Sequence, residues 1–581
     1  MARVFPILIL MLLAGCSGKQ PDFSQAAEEF AYSSLAMSPV SATSSGYHQH
    51  KGVPLDELLD DYSEQGLNHQ RSFYRGFEQR LKSLPTDRLS PQDRADYDLI
   101  LNQIQLALLE LDGIQSYRHN PTLYVELVGN ALFGPYSLEY APKPLRFRHL
   151  IARLDKLPAL VQQARENLVD SPEIWNTVAR EENEGNIGLV DQTLREAVPP
   201  EMKADYAKAA AAALDALRGF SDFLKNDLSQ RASDWRLGKV RYEKKFRCAL
   251  GTDQSPEQVL TAAEEALTSV RRQIGEVVLP LHHKLFPTHR DPVDLNLIAG
   301  ETLAKIARKH ATPDTYFPDA RRDLDEARQF VKAKGLLPLP PRDNLQVIET
   351  PPFMRGIYSV GGFNPAPVLE PQLGAYYWLT PIPKTWPKDR TESKLREYNF
   401  YGLKLLTIHE AMPGHYVQAE YANSVQPKTR RALRSLFGNG AYVEGWAVYV
   451  SETMLDEGYL NGSVELRLTF LKHQLRMIAN TILDVRLQTM GMTDEQAMDL
   501  MLKKAFQEKE EAEGKLRRAK LSSAQLPTYF VGWRDWHRLR DLYRKEKGAA
   551  FSLPKFHEET LKEGSLPLPT LARLLTGKAL P

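Results

Sequence analysis

The sequence predicts a mainly α-helical protein, large and two-lobed, with its helices arranged around a central cleft and a small sheet between the lobes. Three observations carry this. Apolar residues recur at three- and four-residue spacing through most of the first 335 positions, with proline opening several of the runs. Prolines at 338, 340, 341, 351, 352, 365, 367, 371, 381, 383 and 387 then exclude continuous helix across residues 337–390. Helical spacing returns at Thr391 and persists almost to the end of the chain.

The elements follow in order. Residues 1–16 begin with a basic residue, Arg3, continue through an apolar run and end in Leu13-Ala14-Gly15-Cys16. The run is too short to span a membrane and reads as a secretory signal. Its end resembles the bacterial lipoprotein box, which implies cleavage before Cys16 and lipidation of that residue. Ser17 after the cysteine favours, by the same resemblance, release to the outer membrane. The expectation is a periplasmic protein anchored to the outer membrane through Cys16 and touching the membrane in no other way. Cys248 is then the one remaining cysteine, so no disulfide framework forms, and it reads as a buried small hydrophobe.

Residues 17–336 read as an N-terminal helical lobe. It includes helices over Pro91–Leu111, Pro200–Leu228, Pro256–Val277 and Pro318–Ala333. The Pro/Gly-rich segment, 337–390, offers strands at Phe353–Val360 and Gly374–Leu379. Residues 391–581 form a C-terminal helical lobe, in which Thr493-x-x-Gln496 suits a capping box. With 74 basic and 73 acidic residues among 581, the net charge is +1, which leaves no electrostatic footprint for nucleic acid. No Gly-x-Ser-x-Gly elbow or P-loop is present, so serine-hydrolase and nucleotide-dependent chemistries fall away.

The chemistry concentrates in His409-Glu410-Ala411-Met412-Pro413-Gly414-His415. Leu395–Ala411 reads as one amphipathic helix with His409 and Glu410 near its end. Zinc-peptidase helices usually place two histidines four residues apart, on one face. Here the spacing is six, which on an unbroken helix turns the imidazoles about 120° apart. Pro413 and Gly414 are helix breakers at the place where a kink would swing His415 back towards His409. A histidine, an acid next to it and a second histidine six on should arise by chance only roughly 0.04 times in a chain of this composition.

A third ligand is expected from another helix. Glu444 lies among Val443, Trp446 and Ala447, where a carboxylate is costly unless it meets a cation. Its alternative partner is Arg431 or Arg434. Glu452, eight residues further, is placed to support a histidine from behind. Two other histidine groups read as bystanders. His48-Gln49-His50 lies in a flexible polar stretch, and His282-His283 caps a helix that ends at Leu279-Pro280-Leu281.

His-Glu-Ala-x-Pro-Gly-His followed by Glu-Gly-Trp-Ala-x-Tyr-x-Glu resembles the bacterial domain of unknown function 885 family, whose members are often lipoproteins related to gluzincin-type helical zinc peptidases. Gly238-x-x-x-Tyr242 and Ala524-Gln525-x-x-x-Tyr529-x-x-Gly532 extend the resemblance over nearly the whole mature chain. It implies one zinc ion on His409, His415 and Glu444, with Glu410 as general base. It also makes Tyr529 the oxyanion donor and puts Gln525 beside the substrate. Tyr377 is the alternative donor, and Gly374–Leu379 a candidate edge for pairing with an extended substrate. The chain departs from the family at Asn480–Asp484, where many members carry Asp-x-Gly-x-His, and at Ser523-Ala524-Gln525 in place of Pro-Gly-Gln. The expected activity is zinc-dependent hydrolysis of short peptides or other small amides. The alternative is a lipid-anchored binding or scaffolding protein with a non-catalytic metal cleft.

Overall fold

A computed structural model describes residues 23–288, 294–355 and 358–581. The signal segment and Cys16 lie outside these residues. The fold is 71% helical with a small sheet. Local sequence starts many of the helices. Ser90 and Ser255 cap helices that open with Pro91 and Pro256, and Thr493 and Gln496 form the anticipated capping box.

Among the N-terminal helices, α1 (Thr122–Ser137), α2 (Glu173–Gly188) and α3 (Lys203–Asn226) pack together. The Ala-rich face of α3 buries Ala209, Ala210 and Ala213 between Tyr206 and Phe220, so the helices approach closely around a core of their own. Residues 23–104 and 311–337 instead share a core with the sheet and with residues 395–572. Helix α4 (Pro256–Leu285) packs along α9 (Val464–Thr489) in a further core. Two of these three hydrophobic cores therefore cross residue 336 rather than stopping there.

The sheet has three strands, β1 (Leu345–Glu349), β2 (Gly361–Asn364) and β3 (Ala375–Leu379). Strand β3 is central, parallel to β1 and antiparallel to β2, with Val347 opposite Tyr377 and Phe363 opposite Tyr377 on the other side. The expected strand at Phe353–Val360 is not formed in its described part. Pro352–Met354 is a 3₁₀ turn, because Pro351 and Pro352 remove two ladder donors, and β2 starts only at Gly361.

Four further helices carry the C-terminal half of the cleft: α5 (Lys388–Glu397), α6 (Phe400–Glu410), α7 (His415–Ala422) and α8 (Gly440–Asp456). After α9 come α10 (Lys509–Leu521) and α11 (Thr528–Lys547). The helix expected over Leu395–Ala411 is thus two helices. Asn399 breaks it, its side chain accepting from the backbone N–H groups of Tyr401 and Gly402 as an N-cap. Both bystander histidine groups also differ from expectation. The 256–285 helix runs through Pro280, so His282 lies inside it, buried, with Nε2 3.0 Å from Glu301. His48 is fixed in a folded corner, not a flexible one, between Asp56 and Glu370.

Candidate metal centre

The kink forms at the breakers. Ala411 leaves helical geometry at φ −122° and ψ −81°, and the N–H groups of Ala411 and Met412 both turn onto the Thr407 carbonyl. Gly414 closes the turn by donating to Ile408 O at 3.0 Å. A Cβ at position 414 would lie 1.9 Å from His409 O, so only glycine fits this approach. Trp446 of α8 clamps the turn by donating its indole N–H to Pro413 O at 3.0 Å.

The helix carrying Glu444 is set by a second close approach. Gly445 of α8 crosses Gly532 of α11 so tightly that a Cβ on Gly532 would meet Ala441 O at 1.9 Å. The crossing puts Glu444 next to Tyr529, which stands one turn before Gly532. Two sequence features, Glu-Gly-Trp and Tyr-x-x-Gly, are therefore two halves of one contact.

The result is a cluster of three side chains on three helices. Ligand atoms of His409, His415 and Glu444 all lie within 4.8 Å of one another. Glu444 Oε2 stands 3.3 Å from His409 Nε2 and 3.4 Å from His415 Nε2. The imidazole rings are 4.7 Å apart and nearly perpendicular. Despite the short distances, Oε2 has no hydrogen bond, and His415 Nδ1 is also without one among the described residues. Burial alone would favour the neutral acid, but the two imidazoles prevail and hold the Glu444 carboxyl well below its ordinary range. Burial works against a charged His415, and Glu444 more than offsets it. Two nitrogens and one oxygen, brought together without bonding one another, suit a small cation such as zinc with an open fourth position.

The cluster lines one cavity of about 1320 Å³, which also takes in Glu410, Tyr529 and Gln525. The Tyr529 ring lies 6.2 Å from that of His409 and almost parallel to it. Burial, then Glu444, push the Tyr529 hydroxyl well above its usual range, so it remains a donor. Gln525 Oε1 accepts from Arg518 Nη2 at 3.1 Å.

Two expected positions are corrected. Tyr377 does not face the cavity. It is fully buried in the central strand, its hydroxyl 3.4 Å from Thr407 Oγ1 behind α6. Both edges of β3 are also occupied, so Gly374–Leu379 offers no edge to a substrate, and the edge strand along the cavity is β2. Glu452 is turned away from the ligand histidines. It accepts from Trp533 Nε1 at 2.7 Å and sits 2.8 Å from His537 Nε2. Glu444 takes neither of its arginine alternatives. Arg434 is held by Asp96 and Glu563, and Arg431 donates to the Asn423 carbonyl.

Sequence reasoning missed His473, Arg476, Lys515 and Arg518, all of which line the cavity. In the run Lys509–Leu521, Ala512, Leu516 and Ala519 form an apolar stripe, but nothing in the pattern separates the charged residues that line the cavity from those that face solvent.

The model of a bacterial family of unknown function, DUF885, matches residues 39–575. The chain belongs to that family. A DUF885 chain of this length also resembles two solved structures along nearly its whole course. One is a candidate lipoprotein of unknown function from Shewanella oneidensis. It is 31% identical, with 95% of this chain and 99% of that one covered and a TM-score of 0.79. The other, a candidate lipoprotein from Colwellia psychrerythraea, is 15% identical with a TM-score of 0.78, covering 96% and 98%. A looser match, at 10% identity and a TM-score of 0.43, is metallocarboxypeptidase 1 of Trypanosoma cruzi, covering 96% of this chain and 95% of that one. No curated protein matches the DUF885 chain. Among its described residues, no helix is long and apolar enough to cross a membrane.

Proposed function

We propose that this protein is a zinc-dependent hydrolase of the peptidase type, acting on short peptides or similar small amides. The observation that carries the reading is the convergence of His409 Nε2, His415 Nε2 and Glu444 Oε2 without hydrogen bonds among them. When bound there, zinc would supply a Lewis acid that acidifies water and polarises a carbonyl. Glu410 opens onto the same cavity from the residue after His409, where its carboxylate takes a proton from the attacking water and returns it to the leaving amine. Tyr529, kept protonated by burial and by Glu444, donates its hydroxyl to the oxygen on which charge develops.

The reading also takes the lipoprotein box at Cys16 at face value and puts the enzyme in the periplasm, tethered by that residue. Mass spectrometry of the mature N-terminus checks this, and an unacylated first residue would refute it. The activity is tested by Glu410→Gln, which preserves shape but removes the proton acceptor. The variant is expected to fold, keep its zinc and lose roughly 10²–10⁴-fold in peptide hydrolysis. Full activity would move the chemistry elsewhere. Peptide binding without cleavage by the wild type would favour a binding protein.

A further inference from the structure

We propose that Lys515 and Arg518 form a receptor for the C-terminal carboxylate of a peptide, which would make the enzyme trim peptides from that end. The proposal rests on the peptidase reading and supplies its polarity.

The two residues are three apart on α10, hence on one face, and both line the cavity. Neither has a carboxylate within hydrogen-bond distance among the described residues. The Lys515 side chain is only 12% exposed, yet its ammonium stands 3.9 Å from Glu511 Oε1. That carboxylate is already engaged, accepting from the Tyr398 hydroxyl at 3.0 Å and from Arg476 at 3.4 Å. Arg518 donates to the neutral Gln525 amide. The cavity as a whole is lined by at least as many acids as lysines and arginines, but the carboxylates nearest these two are shared with other cations. Lys394 and Arg476 line the cavity with them, Glu511 is shared with Arg476, and Glu397 is taken by Arg476 and by Lys472. Glu444 lies within electrostatic reach but is committed to the two histidines. A buried cation with no carboxylate in hydrogen-bond reach is costly unless an anion completes it. Consistent with that cost, burial and the nearby Arg518 pull Lys515 down to about 7.

Position selects the anion. Arg518 touches Tyr529, and Tyr529 stacks on His409, so one aromatic ring separates the guanidinium from a metal ligand. When the last peptide bond of a chain is cut, the α-carboxylate sits on the residue just past the scissile carbonyl, roughly 3.3–3.6 Å of chain away. A planar guanidinium beside a lysine suits a carboxylate.

The test compares N-acetyl-trialanine with its C-terminal amide, in the zinc-loaded Glu410→Gln background so that the probe survives. Calorimetry is expected to show the acid bound about 10- to 100-fold more tightly than the amide, as a charge-assisted pair implies. Lys515→Met and Arg518→Gln should each erase most of that preference while zinc content is retained. Equal binding of acid and amide overturns the proposal without any variant being needed. So does a preference that survives both substitutions. So does recovery of tight binding by an amidated peptide ending in glutamate, which would assign the site to side chains. In wild-type protein, cleavage of acid and amide alike would refute the receptor but leave the peptidase reading standing. A Lys515-dependent preference with no cleavage would do the reverse.

Discussion

Two corners of this molecule hold the same residue types and behave in opposite ways. In one, His48 bonds Asp56 through Nδ1 at 2.9 Å and Glu370 through Nε2 at 3.1 Å, and Thr43 also donates to Asp56. His48, Asp56, Glu370 and Thr43 each have a partner there, and the corner ties the N-terminal segment to residue 370. In the other, His409 and His415 come to 3.3 and 3.4 Å from Glu444 Oε2, yet that oxygen makes no hydrogen bond. Histidines and acids in proximity therefore do not by themselves mark a metal site. What marks it is close approach combined with unmet bonding, because a cation is what completes it.

The contrast can be broken most directly at the ligands. His415→Ala or Glu444→Gln should reduce zinc from about one ion per chain to near none and abolish hydrolysis, whereas His48→Ala should leave zinc untouched. Elemental analysis of the three purified variants decides it, and full zinc in either ligand variant would sink the assignment.

A third buried acid sharpens the contrast. Asp484 accepts from the Tyr242 hydroxyl and the Ala524 N–H on one oxygen, and its other oxygen has no partner. Here no imidazole opposes burial, which pushes the carboxyl up to about 7. An acid whose folded value is raised gives up stability as pH climbs from its unfolded value of about 4 towards 7. Full expression of that shift is worth up to ~4 kcal/mol. Asp484→Asn should therefore gain on the wild type between pH 4.5 and 8 in denaturant melts. A gap that does not change with pH would refute the protonated state.

The smallest effect is expected in the His48 corner. His48→Ala should cost about 1–3 kcal/mol, since it strips charge-assisted bonds from two acids. Burial lowers the His48 value, but Asp56 and Glu370 outweigh it and the net shift is upward. The contribution is thus complete below the ordinary histidine value near 6.5 and fades as pH rises through the folded one. Melting wild type and variant at pH 5.5 and 8.5 should show the larger gap at the lower pH. Zinc retention by the other cluster runs the opposite way, because protons compete for its ligands in acid.

Legibility in the sequence followed the range of the interactions. The mainly helical class, the capping box at Thr493 and the need for a break between His409 and His415 are local matters, written in periodicity and in Pro413-Gly414. The meeting of Glu444 with those histidines was suggested by an acid in apolar company, which is also a local clue. Tyr377 and Glu452 were misplaced because orientation depends on partners far along the chain: two neighbouring strands for one, and Trp533 and His537 for the other. Lys515 and Arg518 were invisible for a related reason. The apolar stripe Ala512, Leu516 and Ala519 shows which face of their helix packs inward, but not that the charged flank beside it lines a cavity.

The glycine crossing of α8 and α11 has a mechanical consequence. With Gly532 set against Ala441 and Gly445 backbone to backbone, no side chain remains there to rotate or compress. That side of the cleft is a rivet, holding Glu444 and Tyr529 at a fixed separation whatever enters. Any breathing that admits a substrate then falls to the other walls of the cavity, among them β2 and the helices α1 and α2.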